Sequence, residues 1–400
     1  MTPRLDAAAP MFANPTSAPA LPVQLEVWSN RPHLQQWFTA LRRLHRSGEI
    51  RLRQQFGSAP VPDYEQHGAH LRDAEQVHCR CILGDGRRLY LDFHDSHEVC
   101  LSGMAWCDAY FKRSARAEDL KRYPKLRALG LNYPVHDDAS DTLLLRRGLH
   151  FEPAQWRWHT AALLRLDRLF PDRFILPRLA QCEQAPEPGG YRTVLFQTRL
   201  WDPAEAPSAD KAAAWARLNA YRIECVRRLR DALPEAFLGG IAPSAFARSQ
   251  CEERLLCPPD AARRAAYMGL LRQRSIAVST AGLHDSNGWK LAEYLAFGKP
   301  VLAEPPQHVI PGGFAAGRHY LGFDSADALV AQATRLLDDA AEADTMAAAN
   351  HAYYRAHLHP DVLARRVLGL LDDDPQAETP SSASATSGCP RNSRGLAVLP

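Results

Sequence analysis

Apolar and polar positions alternate along the chain in two blocks, and each block predicts strands and helices in turn. The first block opens with VQLEVWS, which predicts a strand, and continues with an amphipathic helix whose apolar stripe contains Leu34, Trp37, Leu41 and Leu44. IRLRQQF is again a strand, so the strand–helix–strand order predicts parallel pairing. VHCRCIL and RRLYLDF flank a GDG turn and predict a hairpin, and CDAYFK is a further strand.

The second block follows a Pro- and Gly-rich stretch at 182–192, where we place the domain boundary. TVLFQT predicts a buried strand, and a long helix after it is expected to turn Trp215, Leu218, Cys225 and Leu229 inward. The strands AFLGGI, SIAVST and PVLAE then alternate with helices, and the block ends in the helical segment DVLARRVLGLL. Two blocks of this kind predict two α/β domains that face each other.

These patterns divide the chain into four parts. Residues 1–20 are rich in Ala, Pro and Ser and predict a loose arm, and residues 373–400 are a low-complexity tail that we expect to be disordered. Between them we expect an N-terminal domain over 21–185 and a C-terminal domain over 190–372. Within the first domain, residues 142–168 are expected to be mostly helical.

Composition excludes several classes of protein. Of the 400 residues 46% are hydrophobic and 23% charged, which is typical of a globular chain, and a net charge of +3 gives no reason to expect a nucleic-acid partner. No apolar run is long enough to span a membrane, and the N-terminus lacks a compact apolar signal segment. Nine scattered cysteines predict reduced thiols and a cytoplasmic location. The cluster HCRC lacks the second ligand pair of a zinc site, so we expect a strand there.

The segment with the clearest chemical pattern is STAGLHDSNGWKLAEYLAFGKPVLAE, residues 279–304. An apolar strand ends in a loop and a helix begins at Gly288, so free backbone N–H groups and a partial positive charge meet a ligand there. Lys290 adds a full positive charge in the first helical turn. Glu293 and Asp285 can each accept hydrogen bonds from sugar hydroxyls. Together these residues predict a site for a diphosphate flanked by two sugars.

At these residues the sequence resembles the C-terminal half of GT-B-fold glycosyltransferases of the group-one type, close to family four. That family has the pattern E-x-F-G-x-x-x-x-E followed by A-x-G-x-P-V, and the matching run here is D-S-N-G-W-K-L-A-E followed by LAFGKPV. Asp285 stands at the first acid, Glu293 at the second, and the shared turn and glycine positions are Gly288, Gly298, Pro300 and Val301. Asp285 shortens the acidic side chain by one methylene, and Asn287 replaces the aromatic residue. The resemblance covers about residues 190–372.

The resemblance implies a GT-B fold, with two Rossmann-like domains facing across a cleft and a last helix that crosses back to the first domain. It implies transfer of a sugar from a nucleotide-diphosphate sugar, with retention of the anomeric configuration. Glu293 would hold the ribose and Asp285 the donor sugar. The residues expected to bind the donor are Arg199, Asp285, Gly288, Trp289, Lys290, Leu291 and Glu293. Neither a divalent metal nor another cofactor is expected, since cations and the helix dipole can neutralise the leaving group.

The opposing domain should supply acceptor contacts and any acid or base. The sequence DFHDSHE, residues 92–98, ends an apolar strand, and His94 and Asp95 are the candidate catalytic residues because they could face the anomeric carbon. In enzymes of this family the leaving phosphate itself can deprotonate the acceptor, so these side chains would orient and stabilise. Lys112 and Arg113 also follow a strand and could meet an anionic acceptor.

Two other functions fit the same pattern. A nucleotide-sugar epimerase shares the fold and would turn over its substrate without an acceptor, whereas an inert protein with a degenerate donor site would bind nucleotide sugar and form no product. The acceptor is expected to be a glycan, a lipid-linked sugar or a surface polysaccharide. Peripheral contact with the inner face of a membrane stays open, although no basic amphipathic helix stands out.

Overall fold

The structure is a computed structural model that describes residues 19–29, 31–57, 63–64, 77–137 and 177–371. The expectations for the N-terminal arm up to residue 18, the helical stretch 142–168 and the tail 373–400 lie outside the described residues. Within the described chain, strands and helices form two sheets with their own helical layers.

The first sheet has six strands in the order β2-β1-β3-β4-β5-β6. Strands β1 and β2 pair in parallel around a helix, as predicted, and the hairpin predicted around GDG is formed by β3 and β4. Strand β3 runs antiparallel to both of its neighbours, β1 and β4, whereas β4, β5 and β6 pair in parallel. The strands are β1 Leu21–Val27, β2 Ile50–Phe56, β3 His78–Leu83, β4 Arg88–Asp92, β5 Ala109–Lys112 and β6 Leu126–Ala128.

Among the described residues, one long helix and two short ones accompany this sheet: α1 Gln35–Arg46, α2 Leu101–Trp106 and α3 Ala117–Arg122. A further short helix, α4 Leu179–Cys182, packs in the core of the second sheet and its helices. The predicted apolar stripe of α1 and its preceding turn is confirmed, because Leu34, Trp37, Leu41 and Leu44 are at most 1% exposed. They pack with the apolar residues of β1 and β3 in one core cluster. Burial of this stripe fixes the helix against the sheet.

The second sheet has five strands in the order β11-β10-β9-β7-β8, and each recorded pair is parallel. Strands with helices on both faces of a parallel sheet are buried on both sides, which explains why SIAVS is a continuous apolar run. The strands are β7 Thr193–Thr198, β8 Phe237–Ile241, β9 Ser275–Ser279, β10 Val301–Ala303 and β11 Leu321–Gly322. The fold-class prediction of two Rossmann-like α/β domains is confirmed; the exact domain limits stay a prediction.

Seven helices in the described chain connect or follow these strands: α5 Ala209–Ala232, α6 Ala245–Gln250, α7 Arg264–Arg272, α8 Trp289–Ala296, α9 Ala326–Asp338, α10 Ala340–Tyr353 and α11 Pro360–Leu368. The inward face predicted for α5 is correct for Cys225 and Leu229 but wrong for Trp215 and Leu218, which are only half-buried. In their place α5 buries the polar side chains of Asn219 and Arg222. Asn219 can be buried because both ends of its side-chain amide are hydrogen-bonded: Oδ1 accepts from the backbone N–H of Trp201 at 3.0 Å, and Nδ2 donates to the Trp201 carbonyl at 2.6 Å.

The last described helix crosses back onto the first domain, as predicted. Leu363 and Val367 of α11 belong to the same core cluster as the α1 stripe. Two ion pairs flank this apolar contact: Arg43 Nε donates to Asp361 at 2.7 Å, and Arg365 Nε donates to Glu49 at 2.6 Å. The core of the first domain is therefore completed by a helix from the end of the second.

Candidate functional site

A cavity of about 580 Å³ lies where the carboxyl edges of the two sheets face each other. On the first sheet, β1, β4 and β5 run in the same direction, and His33, Asp95 and Arg113 follow their carboxyl ends. On the second sheet, Arg199 follows β7 and Thr280 follows β9. Ligands of open α/β sheets bind beyond the carboxyl ends of the strands, so this is the candidate site.

Two arginines form the wall next to β7. The guanidinium of Arg199 lies 3.7 Å from the ring centroid of Trp201, and burial lowers its pKa from the ordinary value. Arg222 reaches the cavity from α5 and donates to the carbonyls of Arg199 and Ala281, both at 2.8 Å. Because it is 7% exposed, burial lowers its pKa to about 10. The hydrogen bonds of Arg222 are to neutral groups, and although the charge of Glu304 opposes the shift, Arg222 brings positive charge to this wall.

Lys290 lies in the first turn of α8, as the sequence predicts, and its side chain lines the cavity. Its Nζ donates to the carbonyl of Gln197 and lies 5.1 Å from the ring centroid of Tyr267. Burial lowers the pKa of Lys290 to about 8, although Glu293 opposes this shift. A charged group held at this cost next to a helix N-terminus would gain from an anion.

Glu293, the residue expected to hold the ribose, is 1% exposed and is not among the described residues that line the cavity. Its Oε1 accepts from Arg264 Nη2 at 2.6 Å, and its Oε2 has no hydrogen-bond partner among the described residues. Arg264, on α7, does line the cavity. Arg264 therefore stands between Glu293 and the cavity.

The other predicted donor residues divide into two groups. Gly288 and Trp289 line the cavity; a side chain at Gly288 would meet open space, so a ligand can approach its backbone. Leu291 is 2% exposed and packs in the core, outside the main cavity. Asp285 is exposed and is not among the described residues that line the cavity; its Oδ2 lies 3.7 Å from Arg116 Nη2.

The loop that leads to α8 has unusual backbone angles. His284 and Asp285 have φ angles of 59° and 57°, in the left-handed region that non-glycine residues seldom adopt. The Nδ1 of His284 lies 3.3 Å from Nζ of Lys211, on the adjacent helix α5. Such conformations persist where surrounding contacts enforce them and often mark ligand sites.

The two candidate catalytic residues occupy different positions. Asp95 lines the cavity and is ion-paired with Arg113. His94 is not among the described residues that line it; its ring centroid lies 6.0 Å from that of His284, across the cleft. Its Nδ1 accepts from the backbone N–H of Ser96 at 3.1 Å, which favours the tautomer with the proton on Nε2. Burial, then the charge of Lys112, lowers the pKa of His94 well below its ordinary value.

Directly beneath this edge is a fully buried ion pair. Asp92 ends β4 and Lys112 ends β5, and Lys112 Nζ lies 2.9 Å from Asp92 Oδ2. Tyr110 donates to the same Oδ2 at 2.6 Å. Burial raises the pKa of Asp92, but the charge of Lys112, the interactions with His78 and His94 and the hydrogen bond from Tyr110 together outweigh it and hold the pKa below the usual value. Lys112 therefore neutralises Asp92 and does not line the cavity.

The charge balance of the cavity is strongly positive. Five cationic side chains line it, against one carboxylate, Asp95, among the described lining residues. With the N-terminus of α8 on the same wall, the arrangement suits a multiply charged anion such as a diphosphate. The five cations are Arg113, Arg199, Arg222, Arg264 and Lys290.

The sequence alone assigns Arg113 to an anionic acceptor and does not single out Arg222 or Arg264, although all three line the cavity. The one signal for Arg222 is that it takes an inward position at helical spacing from the apolar residues Cys225 and Leu229. Arg264 gives no comparable signal, because it is the first residue of α7 and lies in a run of polar and small residues. Arginine makes up most of the 48 basic residues, so an individual arginine says little.

Comparison with known families finds one match: residues 256–369 fit the model described as glycosyl transferase-like. This stretch contains α7, β9, α8 and α11, and the match confirms the resemblance predicted from residues 285–301. A search of the curated proteins finds no match. Among the described residues, no helix is long and apolar enough to cross a membrane.

The chain is also similar to solved structures. TarM has 12% identity and a TM-score of 0.33, over 74% of this chain and 64% of TarM. A Listeria monocytogenes protein assigned as a UDP-N-acetylglucosamine 2-epimerase has 17% identity and a TM-score of 0.32, over 69% of this chain and 63% of its own. Anabaena HepE, solved with UDP and glucose, has 10% identity and a TM-score of 0.37, over 86% and 97%. The chain thus spans less than two thirds of the first two.

Proposed function

We propose that this chain is a glycosyltransferase that moves a sugar from a nucleotide-diphosphate sugar to an acceptor. The observation that carries the proposal is the cationic cavity at the start of α8, between the carboxyl edges of two facing sheets. The glycosyl transferase-like match of residues 256–369 includes α8 and supports the same reading. A donor with a charged diphosphate and a neutral sugar fits a site with cations on its walls.

In this proposal the diphosphate lies against the N-terminus of α8. Arg199 and Lys290 contact its oxygens, and Gly288 allows the backbone N–H groups to come close. Glu293 binds the ribose hydroxyls once Arg264 turns from it toward the nucleotide. Asp285 holds hydroxyls of the donor sugar.

During transfer, the bond between the anomeric carbon and the β-phosphate oxygen breaks and a bond to the acceptor oxygen forms. The acceptor hydroxyl loses its proton, which the departing phosphate can take, and the cavity cations neutralise the charge that develops on that phosphate. Asp95 accepts a hydrogen bond from the acceptor hydroxyl, and His94 orients groups at the cleft edge. Retention of configuration and independence of a divalent metal are part of the proposal.

The acceptor belongs to the proposal only as a class, a glycan or a lipid-linked sugar. The cleft is open on the side of Asp95, whose side chain is 35% exposed, so an acceptor can approach from the first domain. A cytoplasmic location, with or without peripheral membrane contact, is likewise proposed.

Calorimetric titration with UDP, GDP and their sugar conjugates, without added metal, tests the donor site. We expect micromolar binding of one nucleotide to the native chain, with loss of about tenfold or more in Arg199→Gln, since a charge-assisted contact is removed. Lys299→Met is the matched control, because Lys299 is buried and donates to the Gln273 carbonyl but lies outside the described cavity lining.

The outcomes separate the three functions. Product formed in an acceptor screen with the bound donor supports the transferase. Conversion of the nucleotide sugar without acceptor identifies an epimerase, and binding without any product identifies an inert protein. No binding of any nucleotide contradicts the donor site altogether.

A further inference from the structure

Arg113 is a first-domain residue that reaches the donor side of the cleft. It directly follows β5, is 3% exposed and lines the cavity. Its Nη2 donates to the carbonyl of Asn287 at 2.5 Å. Asn287 immediately precedes Gly288, the residue that caps α8, so the guanidinium lies next to the helix start where we place the diphosphate.

In the structure the same guanidinium also pairs with the carboxylate of Asp95. The Nη1 of Arg113 forms an ion pair with Asp95 Oδ1, and Asp95 is the one carboxylate among the described residues that line the cavity. The Nε of Arg113 has no hydrogen-bond partner among the described residues. A buried donor without a partner is costly, so this group has unused capacity for an oxygen-rich ligand.

We infer that Arg113 exchanges Asp95 for the donor diphosphate, and that this exchange releases the Asp95 carboxylate to face the acceptor hydroxyl. The inference rests on the proposed function and adds to it a first-domain residue that binds donor phosphate. The diphosphate carries more charge and more acceptor oxygens than one carboxylate, and the planar guanidinium fork matches phosphate geometry.

The exchange has a consequence for the order of binding. Without donor, the negative charge of Asp95 is paired with Arg113 through Oδ1, which makes the carboxylate a weaker hydrogen-bond acceptor for a hydroxyl. Once the diphosphate draws Arg113 away, Asp95 can accept from a hydroxyl at the open side of the cleft. Donor binding therefore prepares the acceptor subsite, and Arg113 couples the two subsites.

Calorimetry with UDP and uridine, or with GDP and guanosine if GDP is the nucleotide that binds, tests the exchange. For Arg113→Gln we expect the diphosphate to bind about tenfold more weakly while nucleoside affinity is unchanged, because the lost contact is to phosphate. Arg113→Lys keeps the charge but not the fork and should lose less. Arg88→Gln is the control, because Arg88 pairs with Asp108 at the amino ends of β4 and β5, away from the carboxyl ends that face the cavity.

A merely structural Arg113 would weaken diphosphate and nucleoside alike, which would overturn the inference. Unchanged diphosphate affinity in Arg113→Gln would also overturn it while leaving the proposed function intact, whereas a native chain that binds no nucleotide refutes both. If the variants do not fold, a crystal structure of the native chain with the diphosphate decides: we expect Arg113 within hydrogen-bond distance of a phosphate oxygen, and an unchanged Arg113–Asp95 pair contradicts the exchange.

Discussion

Lys290 gives the donor site a measurable proton signature. Burial lowers its pKa to about 8 from the ordinary 10.5, so a growing fraction of the side chain is neutral above pH 8 in the free protein. A diphosphate beside Nζ favours the charged form and should return the pKa towards its ordinary value. Nucleotide binding above pH 8 must then be accompanied by proton uptake.

The size of the effect follows from these two pKa values. Uptake should be about 0.1 proton at pH 7, about 0.5 at pH 8 and about 0.9 at pH 9. Because binding must supply the proton, the dissociation constant should rise about tenfold between pH 7 and pH 9. A terminal phosphate with a second pKa of about 6 is about 90% ionised at pH 7, and the difference in uptake between the native chain and Lys290→Met separates the lysine from any titration of the ligand.

Calorimetric titration of the bound nucleoside diphosphate in buffers of different ionisation enthalpy measures this uptake directly. Lys290→Met should bind more weakly at pH 7 and show no uptake. Lys299→Met is the control. Burial also lowers the pKa of Lys299 to about 8, but this lysine lies outside the described cavity lining, so the variant should keep the proton uptake. Uptake that survives in Lys290→Met, or an affinity independent of pH, would refute the placement of Lys290 at the diphosphate.

Two buried ion pairs yield further predictions, both measured by differential scanning calorimetry. Arg264→Met should lose about 3–5 kcal/mol because Glu293 is left charged and buried, and the added Glu293→Gln should recover most of this; a double variant as unstable as the single one would contradict the reasoning. Lys112→Met should lose a similar amount of unfolding free energy, because the charge of Asp92 stays buried without its lysine partner. Removing the charge of Lys112 raises the pKa of Asp92, so the loss should narrow as the pH falls and Asp92 is protonated in the variant before it is in the native chain; a loss independent of pH would show that packing is the cause.

Much of the fold was open to prediction from periodicity alone. The apolar stripe of α1 and the continuous apolar strand β9 are patterns within one short segment, and such patterns predict the element and its buried face without knowledge of the tertiary structure. The position of β3 between β1 and β4 could not be predicted, because the pairing of β3 with β1 joins strands far apart in sequence. The inward face of α5 was mispredicted for a related reason: a loop beyond the helix supplies partners that make Asn219 a buried residue.

The candidate site shows the same division. Gly288 and Lys290 were predictable because strand, loop and helix start are adjacent in sequence, and both line the cavity. The Arg264–Glu293 contact was not, because it joins two helices through the folded second domain. The Arg113–Asn287 bond crosses between domains and depends on how they meet. The sequence pattern locates the loop before α8 together with Arg199 and Lys290, but not the placement of Arg113, Arg222 and Arg264 around the cavity.

The return of α11 to the first domain also constrains how the chain can be made. The apolar surface that Leu363 and Val367 cover is synthesised early, but the helix that covers it emerges only near residue 368. At about 5–20 residues per second, the first sheet must wait on the order of ten to fifty seconds for its last packing partner. During translation the first domain therefore exposes the apolar surface that α11 later covers. We expect nascent chains halted before α11 to bind chaperones or aggregate, whereas the released chain covers this surface by itself.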